Sequence, residues 1–174
     1  MIHRIAFAGF RHPHIFGLWD RVHQHPHCEV VGTWEGDAAT RGKLVSDHGI
    51  TVTHENFEDL LALADCGIVA IGDAYGRRGA LTAAALRAGK HVYCEWPLGI
   101  DLKEAEALAS LARESGLCAV IGTQAAVAPE IEHARALIAE GRIGKVLSVA
   151  VIGSGLSWGQ EIEPRNAYLL DRDN

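Results

Sequence analysis

Short apolar runs rich in β-branched residues alternate along the chain with longer segments whose apolar positions recur at helical spacing, and glycine closes several of the latter. That alternation predicts a parallel sheet with helices on both faces. Strands are expected over 5–8, 29–33, 51–53, 68–71, 91–95, 118–121 and 145–152. The 68–71 run is continuously apolar, as in a strand buried on both faces. Helices are expected over 15–23, 38–48, 57–64, 79–88, 102–115 and 129–140. Asn56 and Asp101 stand at N-cap positions, Glu104 completes a capping box, and Gly49, Gly89, Gly116 and Gly141 stand where helices stop. Pro129 occupies a first-turn position, where its missing N–H costs nothing.

The turn after the first strand, Gly9-Phe10-Arg11-His12-Pro13-His14, stands where a dinucleotide-binding fold places a glycine-rich turn feeding a helix N-terminus. Free backbone N–H groups and the helix dipole there favour a pyrophosphate. Of the G-x-G-x-x-G pattern only the first glycine is present; Arg11 and His14 hold the other two positions, and an ordinary strand-to-helix turn is the competing reading. Glu35, about twenty residues on at the end of the second strand, stands where a carboxylate would hydrogen-bond an adenosine ribose. Gly36 follows it with no adjacent cation, which favours NAD over NADP.

Two further groups carry candidate chemistry. His23, His25, His27 and Cys28 form an alternating run, but it offers no clear fourth ligand, and a solvated loop with no metal is the expectation. Glu95-Trp96-Pro97 follows the 91–95 strand on the carboxyl edge shared with Gly9, Glu35 and Asp73, the edge along which open α/β sheets bind ligands. There Glu95 and Trp96 would contact a nicotinamide ribose and ring, or Trp96 would pack beneath the loop.

Ala88-Gly89-Lys90-His91-Val92-Tyr93-Cys94-Glu95-Trp96-Pro97-Leu98 and Gly141-Arg142-Ile143-Gly144-Lys145-Val146 resemble the A-G-K-H-V-x-x-E-K-P-L and G-x-I-G-K-V motifs of the glucose-fructose oxidoreductase, inositol dehydrogenase and MocA (Gfo/Idh/MocA) family. The resemblance implies a Rossmann-type doubly wound α/β domain over 1–122. It also implies a linking helix and the truncated start of a second α+β domain over 123–174, contributing only its first strand.

It further implies a cofactor site. Gly9, Phe10, Arg11, His12 and His14 would hold pyrophosphate, and Glu35 the adenosine ribose. Ile71, Gly72, Asp73 and Tyr75 would lie near adenine and the middle ribose, while Glu95, Trp96 and Gln124 approach nicotinamide. The implied activity is NAD(P)-dependent oxidation of a sugar or polyol hydroxyl. No catalytic residue and no particular substrate can be named, because the family's reactive residues belong to the remainder of the second domain.

Trp96 stands where the family has a lysine, and an indole is neither a base nor a cation. Glu-Trp-Pro-Leu with Gly122-Thr123-Gln124 resembles the galactose-pathway repressor branch, which makes a non-catalytic dinucleotide sensor the alternative and leaves this chain alone expected to be inactive.

Sixteen basic against 22 acidic residues give a net charge of −6, which argues against nucleic acid or an anionic membrane as partner. Arg4 and Arg11 interrupt the apolar start, unlike a signal peptide, and no run approaches the length of a membrane helix. Four scattered cysteines suit reduced thiols and a cytoplasmic location. An unpaired edge strand over 145–152 would favour homo-oligomers.

Overall fold

Parallel pairing organises the computed structural model, which describes residues 1–151. β1 (His3–Ala8) lies between β2 (Cys28–Trp34) and β3 (Ile68–Ile71), and β4 (His91–Cys94) and β5 (Ala119–Ile121) extend the sheet in the order β2-β1-β3-β4-β5. The helices are α1 (His14–Gln24), α2 (Ala38–His48), α3 (Phe57–Leu61), α4 (Tyr75–Arg87), α5 (Leu102–Ser115) and α6 (Pro129–Ala139). This is the expected all-parallel α/β sheet.

Because strand side chains alternate, β1 builds two cores at once. Ile5 and Phe7 pack with Ile15 and Val22 of α1 and Leu44 of α2 on one face. Ala6 and Ala8 pack with Leu60 of α3 and Leu81 and Ala85 of α4 on the other. The chain winds outward from β1 to β2 and then returns to β3 on the opposite side. The carboxyl ends of β1 and β3 thus flank the switch point at which such sheets bind ligands.

Met1–Gly122 form one compact unit, and Thr123 begins a second, whose described part holds a 3-10 helix (Gln124–Val127) and α6.

Local differences from the sequence expectations have physical causes. Residues 51–53 form no strand: they lie beside the outer edge of β2, and two threonines supply much of the pairing. Thr33 Oγ1 donates to the Thr51 carbonyl at 2.6 Å, and the Thr33 N–H donates to Thr53 Oγ1 at 2.9 Å. α3 stops at Leu61, and Asn56 does not cap it; its side-chain amide donates instead to Asp59 Oδ2 at 3.1 Å. α4 begins at Tyr75, four residues ahead of the expected start, and runs through Gly79, where a Cβ would collide with the Glu104 carboxylate. Gly79 serves close helix packing rather than helix initiation.

Asp101 caps α5, its Oδ1 accepting from the Glu104 N–H at 2.8 Å, while Glu104 Oε2 accepts from the Ile100 N–H, one residue earlier than in a standard capping box. Gly49 and Gly116 end α2 and α5 with φ of 66° and 65°.

Residues 145–151 are exposed and form no strand, and Ile152 lies outside the described residues. A strand needs a partner to satisfy its backbone, and none pairs with this segment among the described residues.

Candidate functional site

Four strand ends converge on the turn after β1. Gly9 adopts φ +77°, and a Cβ there would lie 2.5 Å from Asp73 Cβ and 2.7 Å from its Cα. Only glycine allows this approach between the β1 and β3 ends. The His12 N–H donates to the Gly72 carbonyl at 2.7 Å, and a Cβ on Gly72 would strike Ile15, so the start of α1 is seated on β3. Pro13 is the N-cap of α1; the first turn has no acidic residue and no side-chain cap, which suits an anion at that end. Arg11 is half-buried in the turn, and its charge favours the ionised forms of Asp37 and Asp73.

Glu35, just beyond β2, is fully buried. Its two carboxylate oxygens accept from the N–H groups of Phe10 at 2.6 Å and Asp37 at 2.7 Å, and its own carbonyl accepts from the Arg41 guanidinium at 2.6 and 3.0 Å. Burial raises its pKa above the ordinary glutamate value, opposed by the two backbone hydrogen bonds. Phe10 is buried in the core between Phe7 and Trp19. The Phe10–Glu35 bond thus ties the first turn to the second.

At the β3 end Ile71, Gly72 and Asp73 are buried, and Tyr75 is half-buried at the first residue of α4. Asp73 Oδ1 accepts from the Ala74 N–H at 2.7 Å. Its Oδ2 forms a 3.4 Å ion pair with Arg77 Nε, without hydrogen-bond geometry, and burial is the main cause of its raised pKa. The Arg77 guanidinium lies over the Trp34 ring, 5.9 Å from its centroid, and against Gly36.

At the β4 end Glu95 is fully buried. Its Oε1 accepts from the Tyr93 hydroxyl at 2.9 Å. Its Oε2, which has no hydrogen-bond partner, faces His12 Nδ1 at 3.6 Å and His14 Nδ1 at 3.8 Å. His12 has its pKa lowered to about 4, first by burial and then by the charges of Arg78 and His14. Trp96 is 61% exposed, precedes a cis Pro97, and does not pack beneath the loop. Gln124 opens the 3-10 helix of the second unit and is exposed.

Three contributors escaped the sequence reading. Arg78, buried in α4, donates to the carbonyls of Asp73 at 2.5 Å, Glu95 at 3.3 Å and Pro97 at 3.1 Å, holding two strand ends together; no local pattern announces that. Tyr93 is two residues before Glu95, and the strand period already puts the two on one face. Gly122 must lack a side chain, because a Cβ would lie 2.8 Å from Glu95 Oε2 and against the Tyr93 hydroxyl. Lys90, in the A-G-K-H-V match, is structural: its ammonium donates to the carbonyls of Leu63 at 2.8 Å and Cys66 at 2.9 Å.

A doubly wound parallel sheet with a glycine turn at its switch point defines the dinucleotide-binding class of α/β domains. Residues 8–123 match the family described as "Oxidoreductase family, NAD-binding Rossmann fold", and 129–174 match "Gal80p, C-terminal domain". The chain belongs to the Gfo/Idh/MocA oxidoreductase family.

Among curated relatives, a 1,5-anhydro-D-fructose reductase of Ensifer adhaerens is 34% identical over 125 residues, 71% of this chain and 37% of that protein. The Galactose/lactose metabolism regulatory protein GAL80 of Saccharomyces cerevisiae is 35% identical over 72 residues, 41% of this chain and 17% of that protein. The chain therefore spans well under half of these relatives. Scyllo-inositol dehydrogenase from Lactobacillus casei, solved with NAD(H) and scyllo-inositol, shares the fold at a TM-score of 0.70 and 22% identity, over 83% of this chain and 43% of that one. Among the described residues no helix is long and apolar enough to cross a membrane.

Proposed function

We propose that the chain is the NAD(P)-binding part of an oxidoreductase acting on a sugar or polyol hydroxyl, with 1–122 as the cofactor domain and 123–174 as the start of the substrate domain. The observation that carries this reading is the glycine turn at the switch point, where Gly9 packs against Asp73 with no room for a Cβ and seats the uncapped start of α1 beside the β3 end. In it Gly9, Phe10, Arg11, His12 and His14 take the pyrophosphate at the start of α1. Glu35 serves the adenosine ribose, chiefly by holding Phe10 and Asp37 in place, since both its oxygens are engaged. Ile71, Gly72, Asp73 and Tyr75 line the β3 edge, and Glu95 and Trp96 approach nicotinamide. Gln124 is assigned by resemblance. The bound cofactor would supply the hydride acceptor.

NAD is the preferred form by the sequence pattern, an acidic residue closing β2 with Gly36 after it. Arg11 and Arg77, whose charges act on Asp37, are the cations that a 2′-phosphate would recruit. Four free thiols fit a cytoplasmic setting.

Titration of the 174-residue protein with NADH and with NADPH, followed by nicotinamide fluorescence, tests the reading. Saturable binding that favours NADH and is lost in Gly9→Val supports it. No binding of either at millimolar concentration refutes it.

The second reading is a dinucleotide sensor without turnover, favoured by the exposed Trp96 at the position of the family lysine and by the match to the Gal80p C-terminal domain. It predicts cofactor binding with no oxidation of any polyol. Turnover by the chain or by a longer form containing it excludes the sensor.

A further inference from the structure

The first turn and the β4 end bring together three side chains, already placed along the cofactor edge, whose donor atoms also make a metal-ligand set. His12, His14 and Glu95 each offer one ligand atom, and these atoms lie within 4.8 Å of one another. Both imidazole Nδ1 atoms face the same carboxylate oxygen, at 3.6 and 3.8 Å, too far for a hydrogen bond from either ring. Zinc–ligand bonds of about 2.0–2.1 Å in tetrahedral geometry set ligand atoms roughly 3.4 Å apart. The two histidine-to-carboxylate spacings are thus a few tenths of an ångström wider than the coordinated one, and the set as a whole, spread over up to 4.8 Å, closes on an ion by small rotations of the exposed His14 ring.

The cluster is built rather than incidental. Glu95 is entirely buried, and its Oε2 and His12 Nδ1 are both buried atoms without a hydrogen-bond partner. A buried carboxylate oxygen left unpaired is costly, and a cation between it and the two rings would satisfy all three groups. The other oxygen is oriented by the Tyr93 hydroxyl, the kind of outer contact that fixes a metal-bound carboxylate. The His12 backbone is held by the Gly72 carbonyl, so that ligand is placed before any ion arrives. His14, with its side chain 65% exposed, leaves the third ligand open to solvent.

We propose that His12, His14 and Glu95 form a binding site for a divalent transition-metal ion, zinc above all, at the carboxyl edge of the sheet. Two imidazoles and one carboxylate suit zinc and its first-row neighbours, whereas magnesium and calcium prefer all-oxygen sites. Three protein ligands leave coordination positions for water or for an oxygen of a bound ligand. The proposal departs from the sequence expectation of no metal. It does not fall in the histidine-rich loop, where His25 Nδ1 and Cys28 Sγ approach to 3.5 Å but no three-ligand group forms among the described residues.

The test uses the full 174-residue protein stripped with a chelator, passed into metal-free buffer, and titrated with zinc chloride by calorimetry in the absence of nucleotide. Cobalt(II) absorption then reports coordination geometry. The expected result is one zinc per chain, at least tenfold weaker in His14→Ala and in Glu95→Gln, and unchanged in the double variant His25→Ala/His27→Ala. Circular dichroism confirms folding; exposed His14 decides the matter if the Glu95 variant fails to fold.

Absence of stoichiometric binding overturns the proposal, as does binding that survives His14→Ala or vanishes in the double variant. NADH titration of the stripped protein in chelator is read separately. Nucleotide binding without zinc binding overturns only the metal site, and zinc binding without nucleotide binding overturns only the cofactor reading.

Discussion

The backbone N–H of Phe10 donates to Glu35 Oε2 at 2.6 Å, inside the core and across 25 residues of sequence. The bond joins the turn after β1 to the turn after β2, and the second oxygen of the same carboxylate takes the Asp37 N–H. Glu35→Gln keeps the shape but offers only one acceptor to two buried donors. Equilibrium unfolding in urea is expected to show a loss of about 1–3 kcal/mol. NADH affinity should fall in parallel, because the pyrophosphate turn loses its tether.

Gly9→Ala is expected to be worse than its size suggests. The added methyl meets Asp73 at 2.5 Å, and φ of +77° is unfavourable for any residue with a Cβ. Overpacking and strain together should cost about 2–4 kcal/mol, read as a lower urea midpoint at constant m value.

Asp37 gives a pH signature. Its side chain accepts from the Thr40 hydroxyl and N–H at 2.7 Å each, capping α2, and these bonds hold its carboxyl below the ordinary aspartate range. A carboxyl with a depressed folded pKa stabilises the fold above its unfolded value and loses that contribution as pH falls through the folded one. Asp37→Ala should therefore cost about 1 kcal/mol at neutral pH, and the gap to the parent protein should close on acidification through and below pH 3.8, the ordinary aspartate value. A gap independent of pH would contradict the charged-cap account.

Lys90→Met removes both hydrogen bonds that the ammonium makes, leaving the Leu63 and Cys66 carbonyls without that donor. A loss of about 1–3 kcal/mol is expected, with little change in NADH affinity, since Lys90 holds the segment between α3 and β3 rather than the carboxyl edge. Loss of NADH binding in a folded Lys90→Met protein would assign it a different role.

Trp96→Lys restores the family's residue at an exposed position. Stability should change by less than about 0.5 kcal/mol. No polyol oxidation is expected in this variant, because a lysine alone does not supply a substrate pocket; turnover in an assay with NAD and a panel of polyols would exclude the sensor.

The strand and helix pattern was legible because each period is local: Ile5 to Ala8 and Ile68 to Ile71 announce buried strands, and Gly49 and Gly116 mark helix ends through their own backbone freedom. The family motifs likewise lie in contiguous stretches. Where neighbours in space decide, the pattern failed. Residues 51–53 have strand composition, yet threonine side chains take part of the place of a ladder, and Gly79 lies inside a helix because Glu104 packs against it.

The amino-acid sequence by itself determined the α/β class, the carboxyl edge on which Gly9, Glu35, Asp73 and Glu95 gather, and the departure at Trp96, since these follow from periodicity and residue type. Tertiary structure alone decided what those groups do there. It buried Glu35 against two backbone donors, set Arg78 across two strand ends, and turned His12 and His14 toward an unpaired oxygen of Glu95. Such relations depend on which distant strand ends meet and on how buried charge is balanced once water is excluded, and no local pattern records either.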